Sequence, residues 1–212
     1  MSLFDRLLIG ALREALEESQ DGGDSRTTVT RTNRYVFNEK HSELITISDD
    51  KRTASRQLPM LCFDQGIVFS DQPLHDNEIF EVRIDQMIPL WNGTVEIGVT
   101  SLNPMVINLP KTMTDLTLGT WMLSGNQVVK NSTIVRRGYC RSLNSLSVGD
   151  RLGVCRTDNG NLHFFINGKH EGVAASGVPQ GVYAVVDIYG KCTKVSILSP
   201  EGLPSNPRPA IT

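Results

Sequence analysis

After residue 33 the chain stops offering helical spacing, and its apolar residues come in about a dozen short runs closed by glycine, asparagine or proline. The clearest is Ile79 to Asp85. There Phe80, Val82 and Ile84 alternate with Glu81, Arg83 and Asp85, the two-residue period of a half-buried strand. Thr94 to Thr100 alternates too and follows Asn92-Gly93, a pair expected to close a hairpin. Asn167-Gly168, after Leu162 to Ile166, is expected to form a tight type I′ turn. Further runs are Arg34–Phe37, Glu43–Ile47, Met60–Phe63, Ile67–Phe69, Thr120–Leu123, Ile134-Val135, Arg151–Arg156, Val182–Val186 and Lys194–Leu198. So many short strands predict an all-β fold, an antiparallel β-sandwich.

Residues 2–18 differ. Phe4, Leu7, Leu8, Ala11, Leu12, Ala15 and Leu16 recur at helical spacing behind a capping-box-like Ser2 and Asp5. One short amphipathic helix over 1–18 is expected, and so short a helix needs a cover for its apolar face. Its own domain, a second copy or a partner would serve, so the helix is a candidate docking segment in cis or in trans. Ser19 to Ser25 breaks the pattern, and 19–33 reads as a flexible linker. The sandwich is placed at 34–200 and a proline-rich tail at 201–212, which holds Pro204, Pro207 and Pro209.

Net charge is −2, too little positive field to expect nucleic acid. No apolar run is long enough for a transmembrane segment. The first residues lack a signal peptide's pattern, and Cys62, Cys140, Cys155 and Cys192 are dispersed. A reduced, cytoplasmic protein is expected, its cysteines serving as small apolar residues. Phosphate-loop, dinucleotide, nucleophile-elbow and zinc-protease motifs are absent. The four histidines have no cysteine or carboxylate at ligand spacing, and His163 is expected to face solvent. No catalytic residue, metal site or cofactor is expected.

Binding is better supported. Val182 to Gly190 starts as a strand buried on both faces and ends in Asp187, Ile188, Tyr189 and Gly190, an aromatic delivered to a sheet's rim. Leu102, Asn103 and Pro104 follow another strand. Trp121 precedes the turn at Asn126, though packing in the core is the plain alternative for its ring.

The ordered blocks resemble a Neuralized homology repeat. They are Phe63 to Leu74, Gly98-Val99-Thr100 with Asn103-Pro104, Thr112 to Leu116 with Gly119-Thr120-Trp121, Gly149 to Val154, Phe165 to Gly168 and Val182 to Cys192. The resemblance covers about residues 34 to 200. It implies a twisted, SPRY-like sandwich that binds short peptides and recruits targets for ubiquitin ligases, with centrosomal or cytoskeletal association. In SPRY-like modules a valine-tryptophan-glycine loop walls the peptide pocket. The resemblance puts Ile188, Tyr189 and Gly190 there, with Leu102, Asn103 and Pro104 as the facing loop. Ligase activity is not implied, since the four dispersed cysteines cannot supply a RING finger.

The expected function is therefore a non-catalytic adaptor for a peptide or helical segment of a partner protein, in a ubiquitin-ligase or scaffold setting. The rivals are an oligomerisation unit built on the N-terminal helix, a sandwich-fold hydrolase or lyase, and a carbohydrate-binding module.

Overall fold

In this computed structural model, residues 27–31, 34–198 and 210–211 are described. The expected helix, with Phe4, Leu7, Leu8, Leu12 and Leu16, lies outside the described residues. The strands in chain order are β1 (Thr27–Thr28), β2 (Thr30–Arg31), β3 (Ile45–Ile47), β4 (Thr53–Arg56), β5 (Ile67–Phe69), β6 (Glu78–Met87), β7 (Val95–Thr100) and β8 (Thr120–Ser124). They continue as β9 (Gln127–Lys130), β10 (Thr133–Arg136), β11 (Arg151–Arg156), β12 (Leu162–Ile166), β13 (Lys169–Ala175), β14 (Tyr183–Ile188), β15 (Cys192–Ile197) and β16 (Ala210–Ile211).

Two antiparallel sheets form the sandwich. One has the order β10-β9-β8-β7-β14-β5, the other β13-β12-β11-β6-β15-β4-β3, with β2 beside the start of β6 in parallel. Side-chain alternation decides what each strand gives to the core. From β14, Ala184, Val186 and Ile188 meet Val95, Ile97 and Val99 of β7 and Phe80, Val82 and Ile84 of β6 between the sheets.

The outer face of the first sheet is covered as well. The chain between β7 and β8 folds back over it, and the 3-10 turn Met113–Asp115 sets Met113 against Ile67, Phe69, Met122 and Val185. Burying a side chain of that size stabilises by about 1.5–3 kcal/mol. This second layer explains why β7 is buried along its whole length, where alternation alone predicts one wet face.

Other expectations need correcting. Arg34–Phe37 contributes one bridge, Phe37 to Ser70. Met60–Phe63 is a turn, not a strand. Asn92-Gly93 closes no hairpin, because β6 and β7 belong to different sheets. Asn167-Gly168 does turn tightly, with φ 53° and 81° between the paired Ile166 and Lys169. Asn131-Ser132 forms an unforeseen hairpin turn, with φ 50° and 61°.

His163 is buried. The edge strand β13 brings His170 back against it, with Nδ1 and Nε2 2.8 Å apart. Burial and its neighbour His170 push the His163 pKa down to about 4. Glu81 is buried too, paired with Arg31 at 2.7 Å.

That ion pair and Val29 show that residues 27–31, read as linker, pack on the sandwich. Val29 sits wholly buried with Ile79, Cys155 and Phe165 on the outer face of the second sheet. One valine flanked by threonines carries too little pattern to reveal this. Val29→Ala is expected to lower the unfolding free energy by about 1–2 kcal/mol in urea titration. An unchanged midpoint would mean that the segment does not stabilise the fold.

Candidate functional site

The end of β14 is where the chain gathers unusual groups. Strand parity puts Tyr189 on the outer face, in line with Val185 and Asp187. Tyr189 lies on Gly93, whose φ is 80° and where a Cβ would sit 2.5 Å from the tyrosine ring. A side chain at Gly93 would displace the ring. Gly190 is equally constrained. Its φ is 56°, a Cβ would fall 2.4 Å from the Asn92 carbonyl, and its N–H donates to Phe63 O at 2.8 Å.

Three rings cluster here. Phe63 lies 5.6 Å from Tyr189, edge to face, and 5.5 Å from Trp91. Trp91 Nε1 donates to Pro59 O at 2.7 Å, which ties the 58–63 turn to the loop before β7. Phe63 is 41% exposed, and Leu58, Met60, Leu61 and Leu90 beside the cluster are more exposed still, Leu61 at 79%. Several large apolar side chains exposed around one ring cluster make this a candidate contact surface.

Beneath the platform lies Arg56, a guanidinium almost wholly removed from solvent. Nη1 donates to Cys62 O, and Nη2 donates to Gly190 O at 2.5 Å and Cys192 O at 3.0 Å. One side chain thus clamps the Phe63 turn to the Tyr189 turn. Its charge also partly offsets that of Asp187.

Beside Tyr189 a groove of about 290 Å³ is lined by Asn92, Gly93, Glu96, Ser124, Gly125 and Asn144 among others. Glu96 and Asp187 are cross-strand partners in register. Glu96 accepts from Ser124 Oγ at 2.5 Å and Thr112 Oγ1 at 3.5 Å. Asp187 accepts from the Met113 N–H at 3.0 Å, and its other oxygen finds no donor among the described residues. Burial first, then the charge of Asp187, pushes Glu96 up to about 7, and burial pushes Asp187 up to about 6. Burial also pushes the Cys155 and Cys192 thiols up to about 12, away from nucleophile chemistry. Among the described residues no cluster of metal-ligating groups occurs.

The candidate residues fall in different places. Ile188, Tyr189 and Gly190 stay together, and Asn126 is an exposed turn residue at the same end. Asp187 and Ile188 are buried, so neither can touch a ligand directly. Trp121 is a core residue on the inner face, with Lys130 5.6 Å over its ring. The expected facing loop is at the wrong end. Thr100 pairs with Tyr183 and Val95 with Ile188, so Leu102, Asn103 and Pro104 lie at least roughly 20 Å from Tyr189 along the sheet. Pro104 is buried, and Asn103 caps its own turn by accepting the Met105 N–H at 2.9 Å. Phe63, Trp91, Arg56 and Glu96 went unrecognised. Gly98 inside an apolar strand points elsewhere, to the close approach of β8, where a Cβ would meet Trp121 O at 2.1 Å.

The sequence profile of the Neuralized family matches residues 37–199. The chain belongs to the Neuralized family. Protein neuralized of Drosophila virilis is 30% identical over 170 residues, covering 76% of this chain and only 20% of that protein's length. Human Neuralized-like protein 2 is 27% identical over 228 residues, covering 80% of this chain and 79% of that protein. The crystal structure of the Drosophila melanogaster neuralized NHR1 domain superposes with a TM-score of 0.62 at 28% identity, over 78% of this chain and 98% of that one. The SPRY domain of human HERC1, 14% identical, superposes with a TM-score of 0.55 over 79% and 99%, a likeness of fold alone. The chain is thus a Neuralized domain, an interaction module with a SPRY-like sandwich. No helix among its described residues is long and apolar enough to cross a membrane.

Proposed function

We propose that this Neuralized domain is a non-catalytic adaptor that binds a short peptide segment of a partner protein on the Phe63–Trp91–Tyr189 platform and the adjoining groove. The observation that carries this reading is the aromatic cluster itself, held by Arg56 and ringed by exposed Leu58, Met60, Leu61 and Leu90. Buried aromatic anchors with a polar neighbourhood dominate the energy of peptide recognition. Here Asn92, Asn126 and Asn144 supply amides near the groove. The family resemblance supports target recruitment for a ubiquitin ligase, with catalysis supplied by another protein.

The test is selection of peptides displayed against the chain, followed by titration of a recovered peptide. Tyr189→Ala is expected to weaken its binding by about 1–3 kcal/mol, roughly tenfold to a hundredfold, and to leave thermal unfolding nearly unchanged. Equal affinity for both proteins would move the site elsewhere.

A further inference from the structure

The net charge of −2 hides a local excess. No aspartate or glutamate occurs between Asp115 and Asp150, while Lys130, Arg136, Arg137 and Arg141 all fall in that interval. Arg136 ends β10 and Arg137 follows it, with Lys130 across the turn on β9, while Arg141 is paired with Asp150 at 3.8 Å. β10 is the edge of the first sheet, and every residue from Ser132 to Gly138 is exposed, including Ile134 at 39% and Val135 at 52%.

The edge is also competent to pair. Thr133 and Lys130 flank the two-residue turn and face each other in register. A pair in that position exchanges both ladder bonds, so the next residue, Ile134, turns its N–H and C=O away from β9. Arg136 is held in place by donating to Val173 O at 2.6 Å on the neighbouring sheet edge and by its contact with Tyr139 at 5.1 Å. Val173 is itself partly exposed. Arg137 has no ion pair among the described residues.

From this we infer a second interaction surface: the β10 edge accepts an extended, acidic segment of a partner protein as an added strand. Charge selects the occupant. The register shift after Ile134 and the row of cations are also devices that guard an edge against its own kind. A second copy would bring the same cations and be repelled. An acidic strand meets no such penalty, gains ladder bonds and covers Ile134 and Val135.

Fluorescence anisotropy of the full chain tests this with a labelled extended peptide that alternates glutamate and valine. The control peptide carries lysine for glutamate. Saturable binding of the acidic peptide alone is expected, with slowed amide exchange at Ile134. Arg137→Glu, which leaves the backbone intact, and Ile134→Pro, which removes the outward N–H, should each weaken binding about tenfold or more. Tyr189→Ala should leave it unchanged, which keeps this surface separate from the aromatic platform. Equal binding of the lysine peptide, or no saturation, would overturn the inference. So would a single-stranded oligonucleotide that binds as tightly through Arg137 without needing Ile134, because the edge would then be a patch for any polyanion.

Discussion

Arg56→Met is expected to lower the unfolding free energy by about 3–5 kcal/mol, the range for removing one member of a buried charged network. Three carbonyls accept from this guanidinium, those of Cys62, Gly190 and Cys192, and methionine satisfies none of them. Loss of the cation also removes a charge that partly offsets Asp187. Urea titration followed by circular dichroism gives the magnitude. Tryptophan emission gives the location, since Trp91 is partly exposed in the platform while Trp121 is core. A red shift before the main transition is expected as the platform loosens first. A loss below about 1 kcal/mol would show that the clamp is dispensable and that the turns are held by other bonds.

Glu96→Gln should stabilise the protein at pH 8 and do nothing for it at pH 4. Burial raises the folded pKa of Glu96 to about 7, whereas an unfolded glutamate titrates near about 4.3. Below the unfolded value both states are protonated, and the carboxyl's contribution to stability is fully present. It is lost as pH climbs through the folded pKa, because the native state must then hold a poorly solvated charge beside Asp187. The variant should therefore gain about 3–4 kcal/mol on the parent between about pH 4.5 and 7, and hold that margin above. Glutamine keeps the shape and offers an N–H toward the under-satisfied Asp187. His163 acts with the opposite sign. Its depressed pKa contributes stability above about 6.5 that is lost as pH falls towards about 4. That slope is common to both proteins and cancels in their difference. A flat difference across the range would mean that Glu96 is solvated.

The strands were legible because alternation is a local signal. Phe80, Val82 and Ile84 could be assigned to the core from their spacing alone. The second layer was not legible. Nothing near Glu96 announces that the segment carrying Thr112 and Met113 will fold over it, so its burial cannot be read from the alternation of its strand. The place of Tyr189 at the sheet's rim is legible because a glycine follows it at the end of an apolar strand. Its true neighbours Phe63 and Trp91 come from sequence distances of more than ninety residues, and only the sheet order brings them together. The misplaced Leu102 loop has a similar cause. In an antiparallel pair the loop after one strand lies beside the start of its partner, so Leu102 had to meet Tyr183 and not Tyr189.

The pairing of Thr27 with Ile211 and of Thr28 with Ala210 has a consequence for how such a unit is used. The polypeptide arrives at the sandwich and departs from it side by side, about 5 Å apart and in opposite directions. A unit tied off in this way can be strung as one bead after another, or set into a surface turn of an unrelated host, without diverting the path on either side.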